Sequence, residues 1–155
     1  MTGEIHRATL GDRDSLLELM SAFYAEADYP LNLDRAAVAF HELLSDDSLG
    51  RAWLILDSGQ IVGYLVITLG FSMEYGGRDA FVDDLFVQSE YRGKGLGTIA
   101  LAKGCAVCAE LGVRALHLEV ERGNAAAQAL YRRAGFVDND RQLLSLRLAD
   151  RTHFN

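Results

Sequence analysis

Residues 51–71, "RAWLILDSGQIVGYLVITLGF", constrain the fold more than any other stretch of the chain. Two uninterrupted apolar runs are separated by the polar turn sequence "DSGQ". Such runs read as a β-hairpin whose strands are buried on both faces. A sheet of that kind needs a layer of helices packed on it.

The flanking sequence supplies those helices. Residues 4–9, "EIHRAT", alternate and read as a first strand. Leu16, Leu17, Met20, Phe23, Tyr24 and Ala27 then recur at three-to-four spacing behind an Asp, the pattern of an amphipathic helix. Leu33, Ala37, Phe40 and Leu44 repeat it in a second helix. After the hairpin, residues 79–87, "DAFVDDLFV", form a strand that carries two adjacent carboxylates. Leu96, Ala100, Val107 and Leu111 mark a third helix, ended by Gly112. "ALHLEV" (115–120) alternates as a strand, residues 124–135 make a short helix, and "RQLLSLRL" (141–148) alternates as a last strand. The order β-α-α-β-β-β-α-β-α-β implies a mixed α/β fold, antiparallel at first, with a β-α-β crossover.

The 155 residues, 50% hydrophobic, suit one globular domain over 1–155. There is one proline, Pro30, and neither a linker nor an internal repeat. No run of 18 apolar residues suggests a membrane span, and the early charges of "MTGEIHRATLGD" read against a secretory signal. A net charge of −7 argues against nucleic-acid binding. Cys105 and Cys108 have redox spacing but fall mid-helix, so both read as core-filling thiols in a reducing compartment, the cytoplasm. His6, His41, His117 and His153 show no ligand spacing, and no metal is expected.

Between the carboxylate strand and the third helix lies "YRGKGLG", residues 91–97. A glycine-rich strand-to-helix loop offers free N–H groups and the positive end of a helix dipole to an anion. No Asp or Glu occurs from 91 to 109, whereas Arg92, Lys94 and Lys103 do. The nucleotide loops G-x-x-x-x-G-K-[ST] and G-x-G-x-x-G are both absent.

Arg92-Gly93-Lys94-Gly95-Leu96-Gly97 is similar to the [QR]-x-x-G-x-[GA] signature of the GNAT superfamily of acetyl-coenzyme A-dependent N-acetyltransferases. "LEVERGNAAAQALYRRAGF" (118–136) resembles the second signature of that superfamily. The resemblance covers nearly the whole chain. It implies a GNAT fold: a mixed central sheet of about seven strands, splayed between the fourth and fifth, flanked by about four helices. It implies acetyl-CoA as co-substrate, with the backbone of Arg92, Gly93, Lys94, Gly95, Leu96, Gly97 and Thr98 on the pyrophosphate. The backbone of Leu85, Phe86 and Val87 would pair with the pantetheine arm, and Asn124 and Ala127 would contact the same arm. Tyr131, two helical turns beyond Asn124, would protonate the leaving thiolate. An ordinary helix cap and a core tyrosine are the structural alternatives for Asn124 and Tyr131.

The acceptor amine must lose a proton before it attacks, at a cost of roughly 4–5 kcal/mol for a lysine-like amine at pH 7. Asp83 and Asp84 are the candidate acceptors of that proton. Adjacent strand residues point to opposite faces, so one of them reaches a given cleft unless a bulge re-aims the other. "VDDLFV" looks like the spermidine/spermine-type branch, which implies Asp83 as base and Asp84 as a substrate-orienting group. Glu74 and Tyr24 are further candidates for the acceptor pocket. The expected function is acetyl transfer to a primary amine on a small cationic molecule, by direct attack in a ternary complex. A peptide amine, or a non-catalytic acyl-CoA sensor, is the alternative. No nucleic-acid or membrane partner is expected; a homodimer is one possible assembly.

Overall fold

The computed structural model describes residues 3–149. Its elements are β1 (Gly3–Arg7), α1 (Arg13–Glu26), α2 (Leu33–Ser45), β2 (Gly50–Asp57), β3 (Gln60–Ser72), β4 (Gly77–Val87), α3 (Leu96–Glu110), β5 (Ala115–His117) and α4 (Ala125–Arg133). Single 3-10 turns precede α1 and follow β4. The strands form one sheet in the order β1-β2-β3-β4-β5, antiparallel throughout except for the parallel β4–β5 pair. Parallel neighbours require a crossover connection, here made through α3.

The hairpin is buried on both faces, as its continuous apolar runs predict. On one face Trp53, Ile55, Val62, Leu65, Ile67 and Val82 pack against Leu96, Ala100, Leu101 and Cys108 of α3. On the other, Leu54, Tyr64, Val66 and Phe86 pack against Leu16 and Leu19 of α1 and Phe40 of α2. At about 25 cal/mol per Å2, these two layers supply most of what opposes the chain entropy. Gly104 lets α3 lie close to β3: a Cβ there would stand 2.6 Å from Ile67 Cδ1. In α2 the buried residues are Ala36 and Phe40, while Leu33 is exposed. The side chain of Asn32 caps this helix by accepting from the Arg35 N–H at 3.0 Å.

Four sequence expectations are corrected. Among the described residues the sheet has five strands, not seven. "ALHLEV" contributes three residues, because β5 pairs with β4 over Asp79–Ala115, Ala80–Leu116 and Phe81–His117 and no further. Residues 141–148 form no strand and are exposed throughout. Cys108 is a core residue as expected, but Cys105 is exposed. Burial raises both thiol pKa values, that of Cys108 to about 11, so neither is a ready thiolate.

Candidate active site

β4 carries an irregularity that shapes the site. Val66 stands opposite Asp84 and Ile67 opposite Val82, so Asp83 is an extra residue, a β-bulge. The bulge reverses the facing of the strand. Before it, Ala80 and Val82 point toward α3; after it, Phe86 points toward α1, and Leu85 and Val87 take the α3 side. Asp84 consequently lies on the α1 side beside Tyr64. In an unbroken strand it would share the α3 face with Val82.

The β4–β5 ladder ends at Phe81, two residues before the bulge. From there the strands separate, and the β5-side backbone edge of residues 82–87 pairs with no strand among the described residues. This is the splay that the resemblance implies. At its closed end the His117 ring lies 3.1 Å from Asp79 Oδ2 and 5.0 Å from the Phe81 ring. The acids at 83 and 84 therefore have no histidine partner; Asp79 has it.

Asp84 is held by phenols. The Tyr64 hydroxyl donates to Asp84 Oδ2 at 2.9 Å, and the Tyr24 hydroxyl also hydrogen-bonds the carboxyl. Tyr64 is fully buried and its ring lies 6.3 Å from that of Phe86. Removal from water pushes the Asp84 pKa up to about 7, with the charge of Asp83 adding to it and the two phenols partly opposing it. Burial and the neighbouring carboxylates push Tyr24 up to about 12. They push Tyr64 up as well. Both phenols therefore remain hydrogen-bond donors. The side chain of Asp83 is exposed, and desolvation raises its pKa too. Two acids and two phenols are thus close neighbours at the bulge. Of these, only Tyr64 escaped the sequence reading. The signal was a lone phenol in an aliphatic run, since a buried tyrosine hydroxyl needs a partner.

The rim of the cleft is tied from both sides. Tyr29, between α1 and α2, donates to Glu121 Oε1 at 2.5 Å, and its ring meets that of Tyr24 at 5.7 Å. Glu74, a candidate for the acceptor pocket, lies at the far end of the β3–β4 hairpin from Asp84. It sits in the β3–β4 turn, where Arg141 binds it with two hydrogen bonds of 2.7 and 2.8 Å.

The glycine loop has the backbone an anion site requires. Gly93 and Gly95 adopt φ of +79° and +81°, which disfavour any L side chain. Gly95 is the N-cap of α3, and no side chain caps that helix. The first N–H groups of α3, from Leu96 to Thr98, thus lack an intrahelical acceptor. The loop cations are otherwise engaged. Arg92 donates to Val87 O at 2.8 Å and pairs with Glu26 at 2.7 Å, and Lys94 pairs with the buried Asp57 at 3.1 Å. Anion affinity here comes from amides and the helix dipole more than from these side chains. A cavity of about 340 Å3 opens beside the loop between α3 and α4, lined by residues including Thr98, Leu101, Leu130 and Arg133.

Asn124 caps α4 by accepting from the Ala127 N–H at 3.1 Å. That contact is the ordinary helix cap. Tyr131 is half-buried on the α3 side, edge-on to Phe136 at 5.9 Å, and burial raises its pKa. Its hydroxyl makes no hydrogen bond among the described residues. Asp84 and Tyr131 thus lie on opposite faces of the sheet. No group of three His, Cys, Asp or Glu residues is arranged to hold a metal among the described residues; His153 lies outside them. No helix of the described residues is long and apolar enough to cross a membrane.

Comparison with known proteins agrees with this geometry. The chain is 28% identical over 147 residues to the thialysine N-epsilon-acetyltransferase of Bos taurus, covering 86% of this chain and 84% of that protein. It is 33% identical over 145 residues to the mycothiol acetyltransferase of Clavibacter michiganensis, covering 85% of this chain and 47% of that longer protein. Among solved structures, an integron cassette protein from the mobile metagenome of Cole Harbour Salt Marsh superposes with a TM-score of 0.86 at 47% identity, covering 97% of this chain and 93% of that one. Residues 13–136 match the model of the acetyltransferase (GNAT) family, from α1 through the glycine loop to the end of α4. The chain belongs to the acetyltransferase (GNAT) family and is an acyltransferase.

Proposed function

We propose that this enzyme transfers the acetyl group of acetyl-CoA to a primary amine of a small cationic molecule, with Asp84 as the base. The observation that carries the reading is the environment of Asp84. A carboxyl with a pKa of about 7, opening on the gap beside a free strand edge, can accept a proton at neutral pH. Its ionised form is at hand in roughly half the molecules at that pH and is regenerated easily. Asp83, one residue away and exposed, orients the incoming ammonium rather than serving as the base. The thialysine-acetylating relative acts, by its name, at a side-chain nitrogen.

The fit of the donor rests on three features. The uncapped start of α3, with its left-handed Gly93 and Gly95, suits the pyrophosphate. The unpaired edge of β4 from 85 to 87 suits the amide-bearing pantetheine arm, which adds as a strand would. The cavity between α3 and α4 suits the remaining nucleotide part of coenzyme A. Acetyl-CoA supplies the activated thioester: a C–N bond forms to the amine as the C–S bond breaks. Asp84 accepts the amine proton on its carboxylate. The Tyr131 phenol, which burial keeps protonated, gives its proton to the departing sulfur. Neither step requires a covalent enzyme intermediate.

A thioester-cleavage screen over small amines, peptides and anionic acceptors tests the assignment, repeated with Asp84→Asn, Asp83→Asn and Tyr131→Phe. Small cationic amines should lead. A preference for anionic acceptors, or full activity in Asp84→Asn, refutes it.

A further inference from the structure

Among the described residues one charged side chain is buried: Asp57, at the end of β2, is 6% exposed. A carboxylate leaves water only where a partner compensates it, and removing that partner is strongly unfavourable. Lys94, at the centre of the glycine loop, is such a partner, with Nζ 3.1 Å from Asp57 Oδ2. A second contact runs beside the first. The Tyr91 hydroxyl donates to Gln60 Oε1 at 2.9 Å. Asp57 and Gln60 face each other across the two-residue turn that joins β2 to β3. Its central residues, Ser58 and Gly59, hold φ of +50° and +80°, the conformation of a tight hairpin turn. The Lys94 ammonium also lies 5.3 Å from the centre of the Tyr91 ring, so the two tethers brace each other.

The loop needs tethers. Gly93 and Gly95 flank Lys94 in the left-handed region, and a Cβ at either would meet nothing within 4 Å. Nothing packs over that side of either glycine, and glycine has the most backbone freedom to lose. The holding is done by the side chains of residues 91, 92 and 94. Arg92 reaches Val87 O and Glu26 on the α1 side; Tyr91 and Lys94 reach the β2–β3 turn.

Charge alone does not account for Asp57. A carboxylate beneath an anion site repels the ligand and cancels the nearest ammonium. Geometry does account for it. An amide cradle that is already ordered binds more tightly, because no loop has to be immobilised on binding. We propose that the β2–β3 turn is the seat of the donor loop and that Asp57 is its positioning residue, holding Lys94 so that the amides of residues 93–98 stand ready for the pyrophosphate. The assignment rests on the glycine loop being the pyrophosphate site. Asp57 acts through Lys94 and needs no contact with the donor. Removing this negative charge should therefore weaken anion binding, the reverse of what Coulomb's law alone dictates.

Calorimetry with CoA on the full chain tests the sign. Asp57→Asn should raise the Kd for CoA about tenfold, the scale of one lost hydrogen bond between charged groups. In turnover with the amine that leads the acceptor screen, acetyl-CoA KM should rise by the same factor while kcat and amine KM stay within about twofold. Without ligand, the amides of residues 93–98 should exchange hydrogen roughly fivefold faster than in the wild type. Tyr91→Phe keeps the ring and removes only the exposed hydrogen bond to Gln60; it should raise the Kd about threefold. Adding Lys94→Met to Asp57→Asn should weaken CoA binding by no more than about a further twofold, because the tether is already gone. The proposal is overturned by an Asp57→Asn protein that binds CoA as tightly as the wild type or more tightly, by an unchanged Kd in Tyr91→Phe, or by losses from Asp57→Asn and Lys94→Met that multiply. Gly95→Ala tells two failures apart. Weaker CoA binding there, beside an Asp57→Asn protein that binds tightly, overturns this proposal alone. Unchanged binding there overturns the loop assignment and this proposal together.

Discussion

Replacing Asp84 by Asn should reduce catalysis while making the protein relatively more stable as pH rises. The catalytic part is direct. Loss of a positioned general base costs typically 10²- to 10⁴-fold, so kcat/KM should fall by that factor near pH 7.5. The wild-type profile should rise through an apparent pKa near 7, and the variant should lose that limb. The stability part follows from linkage. The Asp84 pKa goes from the ordinary 3.8 in the unfolded chain to about 7 in the fold. A raised acid favours the native state fully protonated, so its contribution is complete below about pH 3.8 and declines as pH rises through about 7. At 1.36 kcal/mol per unit, the ionisable carboxyl costs the fold about 2 kcal/mol at pH 5 and about 4 kcal/mol at pH 8. The stability of Asp84→Asn relative to wild type should therefore increase by about 2–3 kcal/mol between those pH values. Whatever the amide does to the Tyr64 and Tyr24 hydrogen bonds is a constant offset and drops out of this difference. Denaturant unfolding at the two pH values measures it. A stability gap independent of pH would mean that Asp84 titrates normally, and the argument for it as base would fail with it.

Three further substitutions probe the rest of the site. Tyr131→Phe should lower kcat by about 10²-fold or more while acetyl-CoA affinity, read by calorimetry, changes only a few-fold. Gly95→Ala places a Cβ at φ +81°; the strain of about 1–2 kcal/mol should lower Tm, and acetyl-CoA binding should weaken because the start of α3 shifts. Glu74→Gln breaks an exposed pair with Arg141, so amine KM should stay within about two-fold and Tm should be nearly unchanged.

The parts of this protein that were legible in its sequence are those fixed by local chemistry. The apolar runs at 51–71 announce a doubly covered hairpin, and Trp53, Ile55, Tyr64 and Leu65 are indeed among the most buried residues. The glycines at 93 and 95 announce a left-handed loop before a helix, and Asn124 announces a cap. Other features depend on what a segment meets in space. Nothing in "RQLLSLRL" says whether its own sheet has room for it. Nothing in "GFSMEYGGRD" says that Glu74 will meet an arginine 67 residues away. Arg92 and Lys94 read as anion ligands until Glu26 and Asp57 are seen beside them.

The bulge at Asp83 belongs to this second kind, and the site turns on it. No glycine or proline marks it. β4 must hold register with β3 along eleven residues while it parts from β5 after Phe81. An extra residue at 83 relieves that conflict by bending the strand at the point of departure. One consequence is chemical: Asp84 and Phe86 are exchanged onto the α1 face, where Tyr64 and Tyr24 wait, while Leu85 and Val87 take the α3 face. A regular strand would set Asp84 beside Val82, on the face covered by α3 and without the two phenols. On the proposed assignment, the same residue that opens the gap for the donor also turns the carboxyl toward the acceptor, so the two halves of the site would share one structural cause.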